Sequence, residues 1–194
     1  GTLQIQGGTS TGTNVGVDAS GNSNGSFASL TADGDTQTIN FTGGGAINIT
    51  GGSGGSRNSA SIRMATTAGV QTITGAPNIT MTGGANGGFA NEGNSANINI
   101  DAGSQSITAG SIVMSGGATG IENSASIRAP LQTITASTVT LNGGGSTSLG
   151  GARIGGGSSV PSATNLTLTT TGNVTLNGGS ASGATLGASS SITG

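Results

Sequence analysis

The phrase Gln71-Thr72-Ile73 recurs along this chain, at Gln37-Thr38-Ile39, Gln105-Ser106-Ile107 and Gln132-Thr133-Ile134. Successive copies are separated by 34 (71 − 37), 34 (105 − 71) and 27 (132 − 105) residues. A unit of about thirty residues cannot bury a hydrophobic core alone, so repeats of this length stack and share one core. The chain is therefore predicted to be a tandem array in which functional residues occupy the sides and ends of a rod.

Two further phrases alternate with the first one, which covers 37–41, 71–74, 105–108 and 132–135. The second phrase ends in Gly-Gly, and its copies cover 3–8, 47–52, 79–84, 112–117, 139–144 and 174–179. The third phrase covers 58–63, 94–99 and 123–128, with weaker copies at 26–30, 151–154 and 183–186. Apolar residues fall at alternate positions within each phrase, which is typical of a half-buried strand.

The order of the phrases predicts an all-β fold, a single-stranded parallel β-helix or β-solenoid with three short strands per coil. We expect one repeat array over 1–194, with about five to six coils of 27–36 residues. Crossovers between parallel strands are right-handed as a rule, so a right-handed helix is expected. The approximate coils are 1–36, 37–70, 71–104, 105–131, 132–163 and 164–194.

Like residues in stacked coils should lie over one another at about 4.8 Å and form ladders. Two apolar ladders are predicted to build the core: Ile39, Ile73, Ile107 and Ile134, and Ile5, Ile49, Met81, Met114, Leu141 and Leu176. Two amide ladders are predicted to fix the register through hydrogen bonds between copies: Gln37, Gln71, Gln105 and Gln132, and Asn58, Asn94 and Asn123. A role for these amides in surface binding is the alternative. The Gly-Gly pairs are expected at sharp corners that require positive φ.

Composition excludes several functional classes. Four Arg without Lys or His, at a net charge of −2, leave too little positive charge to follow a nucleic-acid backbone. The absence of Cys excludes disulfides and thiolate metal sites. No apolar run approaches the roughly 18 residues of a membrane helix, so no membrane insertion is expected. We expect no cofactor.

The residues available for catalysis are few, because His, Cys, Lys and Tyr are all missing. The acidic residues are Asp18, Asp33, Asp35, Glu92, Asp101 and Glu122, which are expected mainly in loops or turns, with no two in one column of neighbouring coils. Two carboxylates at Asp33-Gly34-Asp35 are too few for the six to eight oxygens that calcium prefers. No catalytic or metal-binding residue is therefore predicted.

The arginines are predicted to be solvated charges that keep neighbouring rods apart. Arg63 and Arg128 occupy the same position two coils apart, with Asn99 between them, and so form no continuous basic stripe. Arg57 and Arg153 are expected elsewhere on the surface. A ligand site is the alternative.

Threonine columns on the first two strands suggest another interpretation, since ice-binding proteins use such columns on a flat solenoid face. The columns contain Thr38, Thr72, Ser106 and Thr133, Thr74, Thr108 and Thr135, Thr80, Thr140 and Thr175, and Thr50, Thr82 and Ser115. They are expected to be interrupted at Asn40, Asn48, Val113, Asn142 and Asn177, and Thr also favours outward strand positions in general.

The phrases Gln71-Thr72-Ile73-Thr74, Ile79-Thr80-Met81-Thr82-Gly83-Gly84-Ala85 and Asn94-Ser95-Ala96 resemble the repeats of secreted bacterial exoproteins of the filamentous haemagglutinin type. The resemblance covers most of 37–179. It implies a right-handed parallel β-helix, export to the bacterial cell surface and a role in adhesion or matrix building. The amino-terminal secretion domain of such proteins has no counterpart here, and the resemblance transfers no functional residue.

The leading functional hypothesis is a non-catalytic extracellular structural protein, a building block of a bacterial surface filament, sheath or adhesin. Strands at both ends that follow the repeat style suggest that copies associate end to end or side by side. The alternative is an adhesin segment that recognises glycans or a host surface through the loops 8–26 and 83–93. Ice binding and a polysaccharide-lyase type of enzyme are ranked below these.

Overall fold

The computed structural model describes residues 1–9, 25–65, 68–89, 92–156 and 164–187. Within these ranges the chain contains fifteen β-strands and no helix. The strands are β1 (Thr2–Gln6), β2 (Ala28–Ala32), β3 (Thr36–Asn40), β4 (Ala46–Thr50), β5 (Ala60–Met64), β6 (Gly69–Thr74), β7 (Asn78–Thr82), β8 (Ala96–Ile100), β9 (Gly103–Ser115), β10 (Ala125–Arg128), β11 (Leu131–Asn142), β12 (Ala152–Gly155), β13 (Asn165–Thr170), β14 (Val174–Asn177) and β15 (Ala184–Gly187).

Every pairing between these strands is parallel, and each joins a strand to its counterpart one coil away. The result is a β-solenoid of about five turns, so the predicted fold is confirmed. The pairing register matches identical phrases, for example Gln71 with Gln105 and Ile73 with Ile107. Side chains of the same type therefore lie over one another through the stack.

The solenoid has three faces, one for each phrase. The first face consists of β3, β6, the first halves of β9 and β11, and β13. The second face consists of β1, β4, β7, the second halves of β9 and β11, and β14. The third face is a separate sheet of β2, β5, β8, β10, β12 and β15.

The corner between the first two faces differs between coils. In β9 and β11 the strand runs through the corner without a break. Two successive residues that are not buried lie there, Gly110 and Ser111 in β9, and they shift the alternation of buried side chains by one position. In the preceding coil Gly75, Ala76 and Pro77 separate β6 from β7, and Pro77 has no N–H to continue the ladder. Two coils thus have one long strand where the sequence predicts two short ones.

The core lies between the three faces and is made almost entirely of aliphatic side chains. The buried set includes Ile49, Met81, Met114 and Leu141 from the second face, all without exposed surface. The first face contributes Ile73, Ile107 and Ile134, and the third face contributes Ile62, Ile98, Ile127 and Ile154. Ile39 and Leu176, at the two ends of their ladders, are only partly covered. A fully buried aliphatic side chain contributes roughly 1.5–3 kcal/mol, so this column supplies most of the stability.

The expectation that the Gly-Gly pairs adopt positive φ is wrong. No glycine in the six pairs, all of which the structure describes, has a positive φ. Their constraint is close packing, because a Cβ at Gly51 would overlap the carbonyl oxygen of Asn94, and a Cβ at Gly83 would overlap that of Asn123. The second glycine of a pair also closes the following loop, as when Gly84 donates its N–H to the Asn94 carbonyl at 2.7 Å.

The third-face strands begin about two residues later than predicted. The strands are preceded by Asn58, Asn94 and Asn123, because these residues close the glycine-rich loops. The first residues to join the backbone ladder are Ala60, Ala96 and Ala125. The core-facing positions within the strands are unaffected by the shift.

Candidate functional site

The glutamine side chains form a buried ladder along the axis. Nε2 of Gln71 donates to Oε1 of Gln37 at 2.7 Å, Gln105 donates to Gln71 at 2.6 Å, and Gln132 donates to Gln105 at 3.0 Å. Their exposed fractions range from 0% to 8%, so these amides are not available to a ligand. The ladder stops at Leu166, which takes the next position, and Oε1 of Gln132 has no hydrogen-bond partner among the described residues.

The glutamines also tie the first face to the third. Nε2 of Gln37 donates to the carbonyl oxygens of Leu30 and Arg63 at 3.3 and 3.2 Å. Nε2 of Gln132 donates likewise to the carbonyl of Ile127 at 3.3 Å. The ladder therefore fixes both the coil register and the corner where the third strand returns to the first.

The asparagine column works through the backbone rather than through contacts between amides. The N–H of Asn58 donates to Oδ1 of Asn94 at 2.8 Å, and the N–H of Asn94 donates to Oδ1 of Asn123 at 2.8 Å. Nδ2 of Asn94 donates to the carbonyls of Asn86 and Gly55, at 2.9 and 3.0 Å, which braces two successive glycine-rich loops. All three asparagines are fully buried, so they too are structural.

The first face presents two columns of hydroxyl groups to solvent. One column contains Thr38, Thr72, Ser106, Thr133 and Thr167, and the other contains Thr74, Thr108, Thr135 and Thr169. Asn40 begins the second column and accepts a hydrogen bond from Thr74 Oγ1 at 2.9 Å. The other predicted interruptions, at Asn48, Val113, Asn142 and Asn177, lie on the second face. The first face is therefore the more regular of the two.

The third face carries a groove of about 500 Å³ on its outer surface. Its lining comes from five consecutive coils, and its charged residues are Arg57, Arg63, Glu92, Glu122, Arg128 and Arg153. All four arginines of the chain thus meet in one place, which we call the arginine groove. The expectation that Arg57 and Arg153 lie elsewhere is wrong.

Two of the arginines are neutralised by acidic neighbours. An Arg57 guanidinium nitrogen lies 3.2 Å from Oε1 of Glu92, whose Oε2 accepts a hydrogen bond from Ser56 Oγ at 3.0 Å. Arg63 donates to Oδ2 of Asp101 at 2.7 Å, and Oδ1 of Asp101 accepts from the Asn99 amide at 3.0 Å. Both ion pairs are partly exposed, so each contributes little to stability.

Arg128 and Arg153 lie deeper in the groove. Burial lowers the pKa of Arg128 below its usual value, Asp101 opposes this effect and Arg63 adds to it. Burial also lowers the pKa of Arg153 to about 10, with Arg128 adding to the effect and Glu122 opposing it. Arg153 is only 4% exposed. These two residues are therefore not the solvated surface charges that the sequence predicts.

The groove becomes deeper along the stack. One outward column passes from Ser29, which is exposed, through half-buried Ser61 and Asn97 to buried Ser126 and Arg153. Arg128 belongs to the adjacent column and lies one coil before Arg153. In the described part of the chain, the Arg128 side chain forms no ion pair and no hydrogen bond, and its Nε is buried.

The acidic residues that the structure describes all lie outside strands, as predicted, whereas Asp18 falls outside the described residues. Glu92 and Glu122 nevertheless come from adjacent coils and line the same groove. No group of three or more His, Cys, Asp and Glu residues within the described ranges is placed to hold a metal ion. No helix long and apolar enough to cross a membrane occurs in the described part of the chain.

The two loops predicted to bind ligands are only partly described. Residues 10–24 of the first loop and 90–91 of the second lie outside the described residues. The groove itself was not predicted from the sequence. Its signal was present in the third phrase, because Arg57 immediately precedes one copy, and Arg63, Arg128 and Arg153 each lie within a copy.

Comparisons with known proteins find no match: no family model or curated protein matches the sequence, and no solved structure matches the fold.

Proposed function

We propose that the chain is a non-catalytic extracellular structural protein, a β-solenoid building block of a bacterial surface filament, sheath or adhesin. The observation that carries this proposal is the continuous stack of core and amide ladders, which makes a rigid rod without disulfides. A polar exterior with few charges suits such a scaffold. Protease accessibility on intact cells tests the location, and a protein that is protected until lysis would contradict it.

The carboxylates of the groove support the proposal that the chain is not an enzyme. Glu92 is engaged through both oxygens, by Arg57 and by Ser56, and so is poorly placed to act as a general base. We expect no release of reducing ends and no unsaturated products from polygalacturonate. Turnover that disappears in Glu122→Gln would contradict this expectation.

Association between copies is part of the same proposal. Among the described strands, β1, β2 and β3 at one end and β13, β14 and β15 at the other each pair on one side only. Such edges can pair with the strands of another chain. Leu176, at the second of these ends, is 45% exposed although its counterparts in earlier coils are core residues.

Electron microscopy and sedimentation velocity of the purified chain test this association. We expect rods that lengthen with concentration, and Leu176→Asp should reduce their length because it places a charge on the surface to be buried. Thr175→Asp is the matched control, since Thr175 belongs to the outward column of the second face. Particles that stay monomeric at high concentration would contradict end-to-end association.

The arginine groove favours a second candidate function, a glycan-binding segment of an adhesin. The groove is polar, extends over several coils and lies on a rigid sheet. Binding to a glycan array, lost when groove residues are replaced, tests this candidate.

A further inference from the structure

We propose that the arginine groove binds a linear acidic polysaccharide, with Arg128 as the main contact for a carboxylate or sulfate group. This inference rests on the second candidate function and adds the charge and shape of the ligand. No bond in the polysaccharide is broken.

The groove contains more positive than negative charges. The whole chain has a net charge of −2, yet all four arginines lie here. Glu92 and Asp101 neutralise Arg57 and Arg63. Glu122 is the remaining acidic residue of the lining, and its charge acts on Arg153. The groove is thus a positive site on an otherwise weakly negative rod.

Arg128 has an unsatisfied guanidinium group. Its Nε is buried without a partner, and its charge is disfavoured by burial and by Arg63, although Asp101 partly offsets this. Arg128 is half-buried, and a guanidinium with a buried Nε and no hydrogen bond is costly; the usual solution is an oxyanion that accepts hydrogen bonds from two of its N–H groups. A ligand carboxylate or sulfate at this point would supply the missing hydrogen bonds and offset the like charge of Arg63.

The neutral part of the lining fits a polyol better than a peptide. Hydroxyl and amide groups line the groove between the charges, among them Ser29, Ser61, Ser95 and Asn97. Phe27, which is 60% exposed, provides one aromatic surface at the shallow end. The groove strands β5, β8, β10 and β12 are paired on both sides, so a peptide cannot add between them as a strand. An extended sugar chain needs no such pairing.

The groove is long enough for several linked sugars. The lining extends from Phe27 in one coil to Arg153 four coils later. At about 4.8 Å per coil this span is roughly 19 Å, which suits several linked sugars rather than one. Arg63 and Arg128, two coils apart in one column, would meet acidic groups on separate sugars of the same chain.

The test is a calorimetric titration of the purified chain with three polysaccharides. Polygalacturonate carries carboxylates, heparin carries mainly sulfates, and dextran is neutral, so the first two distinguish the two sources of negative charge. We expect binding to one or both acidic polymers, weaker as salt rises, and none to dextran. Arg128→Met should weaken binding about tenfold or more, the loss expected for charge-assisted hydrogen bonds.

Two controls separate the groove from general charge. Thr135→Asp, on the first face, changes the net charge by the same amount as Arg128→Met and should leave the affinity unchanged. Glu122→Gln, inside the groove, should raise the affinity. The thermal midpoint of Arg128→Met should be equal to or higher than that of the parent protein, which shows that any loss of binding does not come from unfolding.

Several outcomes would overturn the inference. These are no binding to either acidic polymer, unchanged binding by Arg128→Met, or an equal loss with Thr135→Asp. Equally strong binding of poly-glutamate would show that the groove accepts any polyanion and not a sugar chain in particular. Binding of neutral glycans alone would contradict the inference but leave the glycan-binding candidate in place, and rod formation would support the structural role in every case.

Discussion

The first and third faces are built from the same coils and share one core, yet their outer surfaces differ. The first face repeats Thr or Ser at the same outward positions, with no charged residue in β3, β6, β9, β11 or β13. The third face instead has arginines at scattered outward positions, Arg63, Arg128 and Arg153, and it carries a groove. The outer surface of the first face is thus regular, as stacking of the coils alone requires. The third face, on which a ligand is proposed, departs from the repeat.

The largest expected effect comes from destroying the interior that both faces share. Ile107→Asp places a charge without a partner in the core and should lower the free energy of unfolding by more than about 4 kcal/mol. Circular dichroism and limited proteolysis would show loss of the β-structure. Thr108→Asp, one residue away on the outside of the first face, is the control and should fold. A soluble, protease-resistant Ile107→Asp protein would contradict the described core.

A smaller effect is expected where the second face turns towards the third. Gly83→Ala should destabilise the fold by about 2 kcal/mol, because its Cβ overlaps the Asn123 carbonyl of the next coil. Gly34→Ala is the control, since a Cβ there meets no atom within 4 Å. Denaturant titrations of both variants provide the measurement. Equal stabilities would show that the Gly-Gly pairs are not required for close packing.

The ladder that joins the first and third faces gives the next test. Gln105→Met keeps the length of the side chain but removes the donor to Gln71 and the acceptor for Gln132. We expect a loss of about 2 kcal/mol, against about half of that for Gln37→Met at the end of the ladder, where only Gln71 loses a ladder contact. Thermal denaturation compares the two, and a larger effect at Gln37 would be inconsistent with the ladder.

The smallest effect is expected on the outside of the first face. Thr135→Val should change the free energy of unfolding by no more than about 0.5 kcal/mol, because Thr135 is exposed. As a scaffold surface, this face should give the chain no thermal hysteresis in ice-growth measurements. Hysteresis that falls in Thr135→Val would instead establish ice binding and make the first face, not the third, the functional one.

The sequence alone was sufficient to predict the structural features that depend on the periodicity of the repeats. Copies of Gln71 and Ile73 at regular spacing predicted parallel stacking, the core ladders and their register, because every coil has the same residue types at the same strand positions. Close packing was harder to predict, since the need for glycine at Gly51 and Gly83 comes from a neighbouring coil and not from the local backbone. The long strands β9 and β11 also depend on small differences at the corners.

The groove could be predicted only in part. Arg63 and Arg128 fall at equivalent positions, but Arg57 precedes its strand and Arg153 occupies a different column from Arg128. Their proximity depends on how the loops fold over the third face, which the alternation of apolar residues does not encode. The burial of a charged residue likewise depends on all of its neighbours in space, and so the sequence suggested solvated charges where Arg128 is half-buried and Arg153 is buried.

The end of the glutamine ladder at Leu166 has a mechanical consequence. From Gln37 to Gln132 each coil is joined to the next by a buried glutamine hydrogen bond in addition to the backbone and the core. Across the step to Leu166 this buried bond is missing, and an exposed amide bond from Nδ2 of Asn177 to Oδ1 of Asn142, at 2.9 Å, joins the two coils on the second face. A force that pulls the rod along its axis would therefore meet a weaker step there, and the last described coil, 164–187, would separate before the glutamine-linked segment does. Tensile strength is thus unevenly distributed along the rod.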